Sequence, residues 1–403
     1  MIKQSDILAI VDLQNQRLEE KEVGLERDLL SVLPLDLFSH SLIISGIRRC
    51  GKSTLLNQFI KKGHHDAFFL NFDTPKFYNF ELVDFEILDL IITESGKKFL
   101  FFDEIQIVDG WELYIRQKLD EGFRIAITGS NATLLSKELG TKLTGRHITK
   151  ELFPFSYCEF LRYKSLAPDV ETFLQYMKIG GFPEYLKTAN PDILDTLVDD
   201  ILYRDIAVRH NIRDVKSLKR LITFLISNVG NLVTATKLTQ PLGIKSSATI
   251  LDYFSYFEQS YLLYLMPKFS YSYRAQIVNP RKIYLIDTGL VDVVSVTFNQ
   301  DMGRKLENVI FLELRRQNKE LYYYNENGFE CDFVVCKNNV AEQLIQVCYD
   351  LNAENSTREE RGLLDAMDFF KIDKGTIVTL NQKDVILHQG KRIDVVPAYL
   401  FFK

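Results

Sequence analysis

Residues 41 to 60 read SLIISGIRRCGKSTLLNQFI, an apolar strand pattern that runs into a glycine-bounded turn and leaves it as an amphipathic helix. The turn satisfies G-x-x-x-x-G-K-[ST] with Gly46, Gly51, Lys52 and Ser53. Its glycines let the backbone curl so that several N–H groups converge on one phosphate, while the helix that follows turns its positive end to the same charge. Lys52 is then placed for the β- and γ-phosphates of a nucleotide, and the Ser53 hydroxyl for Mg²⁺. The cofactor-binding stretch is read as Gly46, Ile47, Arg48, Arg49, Cys50, Gly51, Lys52, Ser53 and Thr54. Arg48 and Arg49 sit at variable positions and are open to three uses: charge toward phosphate, contact with a neighbouring domain, or solvation. Cys50 reads either as a somewhat acidic thiol, because of the helix end and Lys52, or as a buried inert one.

About fifty residues on, KFLFFDEIQ is an apolar strand ending in Asp103 and Glu104. Asp103 fits the acid that holds the Mg²⁺ shell, and Glu104 is placed to polarise an attacking water. Two adjacent carboxylates repel each other, and a bound cation relieves that repulsion. The next strand ends in AITGSNATLLS, so Ser130 or Asn131 emerges as a candidate sensor of the γ-phosphate. Arg146, in GTKLTGRHI, is a candidate for neutralising charge that develops on that phosphate, in the same subunit or from a neighbour; a plain surface arginine is the alternative.

A length of 403 residues suggests two to four domains. A formal net charge of -5 excludes a chain coated in positive charge, so nucleic-acid binding would have to be patch-based. No signal-peptide core is visible and no apolar run reaches the roughly 18 residues that cross a bilayer, so a cytoplasmic protein with no membrane partner is expected. Five scattered cysteines without C-x-x-C spacing read as reduced thiols.

Residues 1–40 read as a helical lead. Over 41–165 the strand patterns LIISG, AFFLNF, KFLFFDE and RIAITGS alternate with helices, which indicates a parallel sheet wrapped by helices. Residues 166–270 are mostly helical in pattern. Within them a helix, then TATKLTQPLG, then KSSATILDYFSYFEQS, then YLLYLMPKFS reads as a winged helix-turn-helix. Ser246 or Ser247 is the expected cap of its third helix, with Lys245, Ser247, Thr249 and Tyr253 as candidates for groove and phosphate contacts; a packing module between domains is the competing reading. Strands return over 271–403, in KIYLIDTGL, LYYYN, CDFVVC, LIQVCY, GTIVTL and DVILH, with helices near 303–317 and 357–371.

The series GIRRCGKSTLL, FFDEIQ, ITGSNATLLSKELGTKLTGR, ELFPFSYCEFL, GGFPEY, IYLIDTGL, LENVIFLELRR, ECDFVV and LIQVCYD resembles the archaeal-type AAA-like P-loop ATPases with a C-terminal restriction-endonuclease-like domain of unknown function. The resemblance covers nearly the whole chain. It implies that Lys52 and Ser53 bind nucleotide and Mg²⁺, that Asp103 and Glu104 serve metal and water, that Arg146 matches the arginine of a TGR motif, and that the middle region is a winged helix. For the last domain it implies a nuclease-like site with Glu307 and Asp332 in the two carboxylate positions. The expected E-x-K reads Gln346-Val347-Cys348, which loses one ligand charge and the cation, so nuclease activity is not expected.

The expected fold is therefore α/β: a P-loop NTPase parallel sheet, a helical winged-helix middle domain and a C-terminal restriction-endonuclease-like α/β domain. The expected function is ATP binding and hydrolysis with Mg²⁺, coupled to the two other domains and exercised on DNA, with a homo-oligomer or protein partner as further possibilities. An ATP-gated metal-dependent nuclease and a nucleotide-dependent signalling switch are the competing functions.

Overall fold

The computed structural model describes residues 2–37, 39–132, 143, 145–295, 301–326 and 328–402. The chain divides into two compact units, Met1–Phe153 and Pro154–Lys403.

In the first unit the helix α1 (Gln4–Glu20) is followed by β1 (Ser41–Ser45), α2 (Lys52–Gly63), β2 (Ala67–Asn71), α3 (Phe85–Ser95), β3 (Phe99–Asp103), α4 (Trp111–Asp120), β4 (Arg124–Gly129) and β5 (His147–Glu151). The strands form one sheet in the order β2-β3-β4-β1-β5, with every neighbouring pair parallel. Both faces must therefore be covered, which is why β1 is buried throughout and β3 nearly so. The four expected strands are present. The fifth, HITKE, is an edge strand of half-buried residues, and its polar composition gave no apolar run to read.

The first forty residues are not a separate lead. Ile7, Ile10 and Val11 repeat at helical spacing and are buried in the same core as Phe68, Leu70 and Phe102. The parallel sheet places the ends of β1, β3 and β4 on one edge, at the point where the strand order reverses, and loops at such an edge build ligand sites.

The second unit opens with the helices α5 (Tyr157–Lys164), α6 (Val170–Ile179), α7 (Pro183–Thr188) and α8 (Asp192–Asp200), the last continued by a π-helical stretch over Ile201–Val208. There follow α9 (Val215–Ser227), β6 (Leu232–Val233), α10 (Ala235–Leu242), α11 (Ser247–Gln259), β7 (Leu263–Met266), α12 (Tyr273–Val278) and β8 (Arg281–Leu285). β6, β8 and β7 form an antiparallel three-stranded sheet in that order. KIYLI thus completes the sheet of the helical region, and the boundary expected at residue 270 falls inside one structural element.

After α13 (Gly289–Val294) come α14 (Met302–Gln317), β9 (Glu320–Glu326), β10 (Phe329–Lys337), β11 (Val340–Val347), α15 (Ser356–Phe370), β12 (Lys374–Thr379), β13 (Asp384–His388), β14 (Lys391–Pro397) and α16 (Ala398–Phe401). Six strands make a mixed sheet in the order β13-β14-β12-β11-β10-β9. β9, β10 and β11 are antiparallel neighbours, while β11, β12 and β14 run parallel.

The motifs GGFPEY and IDTGL meet as a structural staple. Asp287 accepts hydrogen bonds from the Gly181 and Gly289 amides at 2.6 and 2.9 Å, and burial pushes its carboxyl up to about 7 against those two donors. Gly181 has no room for a side chain, because a Cβ there would lie 2.2 Å from the Phe155 carbonyl oxygen. Gly181→Ala should lower stability by about 1–3 kcal/mol or more, since backbone cannot give way as a flexible side chain would. Urea unfolding checks this, and a variant within about 0.5 kcal/mol of the intact protein would contradict it.

Candidate active site

The loop between β1 and α2 is drawn tight. A Cβ on Gly46 would stand 2.2 Å from the Leu152 carbonyl oxygen, and Gly51, just before α2, has a φ of 102°. The Lys52 ammonium, 4% exposed, donates to the carbonyls of Gly46 and Ile47 at 3.1 Å each and lies 3.6 Å from a Glu104 carboxylate oxygen. Ile47 and Cys50 are fully buried, Arg48 and Thr54 half-buried, and Arg49 exposed with a φ of 64°.

The Cys50 thiol is raised above its ordinary pKa by burial, with Lys52 and Arg27 opposing, and it donates to the Leu152 carbonyl at 3.4 Å. Of the two readings of Cys50, the structure takes the inert one.

Asp103, at the end of β3, is fully buried. It accepts from the Asn71 amide at 2.7 Å and from the hydroxyls of Thr128 and Ser53. Burial, then the neighbouring Glu104 charge, raise its pKa, and the Thr128 and Ser53 hydrogen bonds and Lys52 offset this only in part. A dication shared by Ser53 and Asp103 would remove the cost of that buried charge, so the donor set fits Mg²⁺.

Glu104 adopts a left-handed backbone, φ 54°, an uncommon conformation for a residue with a Cβ and one that clusters at functional sites. Its amide donates to Thr128 Oγ1 at 3.1 Å, and its carboxylate accepts from Gln106 and, at 3.3 Å, from the Ser130 hydroxyl. Burial works against its ionisation, but Lys52, the Gln106 amide, the Arg48 charge and Ser130 outweigh it, so its pKa lies below the ordinary carboxylate value. An ionised carboxylate beside Lys52 is equipped to accept a proton from water. Arg48 thus acts electrostatically on Glu104. Asn131, 3% exposed, follows Ser130 at the end of β4.

Arg146 is not brought to this cluster within its own chain. It precedes β5, where His147 is level with Ser41, so it stands at the opposite edge of the sheet, about 16 Å from the loop at ~3.3 Å per strand residue. Its guanidinium pairs with Asp120 at 2.8 Å. Sequence reasoning missed Arg27 altogether. Buried at 4% exposure, it donates to the Cys50 carbonyl at 2.8 Å and to the Phe153 carbonyl at 2.7 Å, bracing the phosphate loop from behind.

A second constellation lies in the mixed sheet. Glu307 from α14, Asp332 from β10 and Gln346 from β11 do converge, along a cavity of about 650 Å³ that Glu330, Arg358 and Glu359 also line. The carboxylates are bridged by a residue that the sequence did not suggest. The Lys282 ammonium, 3% exposed on β8, is 2.6 Å from Glu330, 2.8 Å from Asp332 and 3.1 Å from Glu307.

Lys282 stays protonated, since Asp332, Glu307, Tyr284 and Glu330 overcome the effect of burial and hold its pKa well above the ordinary value. Asp332 is nonetheless pushed up to about 7, because burial and the Glu307 charge exceed what one lysine supplies. Gln346 accepts from the Asp332 amide and donates to Glu359, at 3.1 and 2.7 Å. Cys348 lies outside this cavity, in the apolar cluster with Leu363 and Met367. Among the described residues no group of three or more His, Cys, Asp or Glu side chains is disposed to hold a metal ion.

On α11, Ser246 is the cap, its hydroxyl accepting from the Thr249 amide at 3.1 Å. Lys245 is exposed, and Ser247 and Thr249 are half-buried. Tyr253 is 7% exposed within the core, so this candidate contact is withdrawn.

A five-stranded parallel sheet with a glycine-bounded phosphate loop and a paired acid on the strand two places away defines a P-loop NTPase of the AAA type, and an AAA domain matches residues 39–161. The chain belongs to the family of the uncharacterized protein MJ1544 of Methanocaldococcus jannaschii, with which it is 34% identical over 99% of this chain and 96% of the relative. It is also similar to an uncharacterized protein of Haemophilus influenzae, 30% identical over 82% of this chain and 87% of that one.

Residues 170–301 match a domain of unknown function. Among solved structures, a Thermotoga maritima RuvB mutant aligns over 66% of this chain and 91% of its own at 18% identity and a TM-score of 0.31. AMPPCP-bound DnaA from Aquifex aeolicus aligns over 61% and 88% at 14% identity and a TM-score of 0.27. Both likenesses are partial, and membership of the family rests on the relatives and the AAA match. Among the described residues no helix is long and apolar enough to cross a membrane.

Proposed function

We propose that this protein binds and hydrolyses ATP with Mg²⁺ at the β1–α2 loop, and that nucleotide state governs a winged-helix element and a degenerate nuclease-like domain that act on DNA. The observation that carries the reading is the meeting of Lys52, Ser53, Asp103 and Glu104 at one edge of the parallel sheet. Mg²⁺ would be held by Ser53 and Asp103, and it supplies charge neutralisation on the phosphates. Glu104 orients and deprotonates the attacking water, Lys52 steadies the β- and γ-phosphates, and Ser130, which donates to Glu104, and the adjacent Asn131 serve as sensors. Arg146 can serve only a neighbouring copy, which would make an oligomer part of the mechanism.

Two features support the coupling half. The order α9, β6, α10, α11, β7, α12, β8, with an antiparallel β6-β8-β7 sheet, suits a winged helix whose wing carries the short α12, and the exposed Lys245 stands at the head of α11. The order α14, β9, β10, β11, α15, β12, with Glu307, Asp332 and Gln346 converging, suits a restriction-endonuclease-like core. An active nuclease is disfavoured because Lys282 already supplies the positive charge between the carboxylates. Mg²⁺-dependent ATP turnover measured with and without duplex DNA tests the reading. Turnover accelerated by duplex supports it; turnover indifferent to DNA removes the DNA half, and none removes the whole.

A further inference from the structure

The face of the phosphate site that the sheet leaves open is walled by α1. A cavity of about 360 Å³ is lined by Ser53 and Asp103 of the phosphate site, by Arg17 and Lys21, and by Asn71 and Asp73. Because Ser53 and Asp103 are the groups that face Mg²⁺ and the terminal phosphates, a cation reaching across this cavity meets the phosphate end of a nucleotide rather than its base. Gln14, Arg17 and Leu18 recur at intervals of three and four and so share one stripe of the helix, and Lys21, the residue that closes it, lines the same cavity.

This stripe is held in place by hydrogen bonds. The Gln14 amide donates to the Asn71 carbonyl at 3.0 Å and accepts from the Asn71 N–H at 2.7 Å, while the Asn71 side chain donates to Asp103. From the other side, Asn57 and Lys61 of α2 donate to the Leu18 and Glu19 carbonyls at 3.5 and 3.3 Å, and Gln58 secures the segment after α1 through the carbonyls of Val23 and Leu25 at 2.8 and 2.7 Å. A helix tied both to the acid of β3 and to the phosphate-loop helix has little freedom to drift from the site.

Arg17 and Lys21 themselves are exposed, and among the described residues their side chains form no hydrogen bond or ion pair. Two uncommitted cations at a pocket whose Asp103 carboxylate would be neutralised by Mg²⁺ suit the terminal phosphate of a polyanion. We infer that Arg17 and Lys21 bind the γ-phosphate of the nucleotide held by their own chain, so that α1 distinguishes triphosphate from diphosphate. The inference rests on the ATPase reading. It gives the chain an intramolecular cation that Arg146 cannot supply from the far edge of the sheet, and it makes the N-terminal helix the element that registers hydrolysis.

The test is the affinity of the full-length protein for ATP and for ADP in Mg²⁺, with turnover, for the intact chain, Arg17→Ala/Lys21→Ala, Arg17→Lys and Lys52→Ala. The double variant should bind ATP about tenfold more weakly and turn it over about tenfold more slowly, with ADP affinity changed less than about threefold, a loss of one tenfold step being what one charge-assisted contact supplies. Arg17→Lys should retain most of the preference for ATP. If the double variant keeps the intact ATP-to-ADP preference and turnover while Lys52→Ala loses nucleotide, the inference is overturned and the ATPase reading stands. If Lys52→Ala binds and turns over ATP as the intact protein does, both fall.

Discussion

Replacing Glu104 by glutamine is expected to slow ATP turnover by about 10²–10⁴-fold while leaving ATP bound. Glutamine keeps the size of the side chain and its contacts with Ser130 and Gln106, but it cannot accept a proton. The carboxylate is ionised and so able to accept one. Lys52, Gln106, Arg48 and Ser130 hold it ionised in spite of burial, and its left-handed backbone turns it off the end of β3 beside Asp103. Asp103, which faces Ser53, is untouched by the change, so metal and nucleotide affinity should move little. Single-turnover hydrolysis measured beside equilibrium binding separates the two effects. A variant that hydrolyses at the intact rate would remove Glu104 from the chemistry, and one that fails to bind ATP would make its role one of affinity.

Lys282→Met should cost about 3–5 kcal/mol of stability in the second unit, since removing one partner of a buried ionic group leaves the others uncompensated. Glu307, Glu330 and Asp332 all lie within 3.1 Å of the ammonium, and methionine matches its length without its charge. The penalty should depend on pH with a definite sign. The Asp332 pKa is raised to about 7 in the folded protein, mainly by burial, so the folded state binds the extra proton between the ordinary carboxylate range and 7. Stability from that proton is present at low pH and lost as pH rises through 7. Without Lys282 the folded pKa rises further, so the variant should be closest to the intact protein near pH 5 and furthest from it near pH 8. Urea unfolding at the two pH values measures this. An equal penalty at both would mean that the lysine acts through packing alone.

What was legible in the sequence was local. The glycine spacing of the phosphate loop, the acid pair closing an apolar strand, and four of the five parallel strands can be read because each is a short contiguous pattern that the backbone must obey. HITKE escaped because an edge strand buries too little to need apolar residues. The roles of α1, Arg27 and Lys282 escaped for a different reason. Arg27 meets Phe153 across more than a hundred residues, and Lys282 meets Asp332 across fifty, so no spacing rule joins them.

Arg146 shows the converse limit: the TGR motif was visible, but its position at the start of β5 depends on strand register, which becomes known only once the sheet is built. Tyr253 failed as a groove contact because the period of α11 turns it inward with Ile250, Phe254 and Phe257. GGFPEY and IDTGL were visible as motifs, yet only the fold reveals that they exist to bring Asp287 onto the Gly181 amide.

The central claim is that the cluster around the phosphate loop hydrolyses ATP, and Lys52 is the residue that supplies the charge the phosphates need; it is buried beside Glu104, so the variant is compared with the intact protein only once its fold is shown. The most direct measurement is Mg²⁺-dependent phosphate release from ATP by the intact protein and by Lys52→Ala, each shown to be folded by circular dichroism. The account predicts turnover that requires Mg²⁺ in the intact protein and falls by about a hundredfold or more in the variant. Equal rates for the two proteins, or no turnover in either, would contradict it.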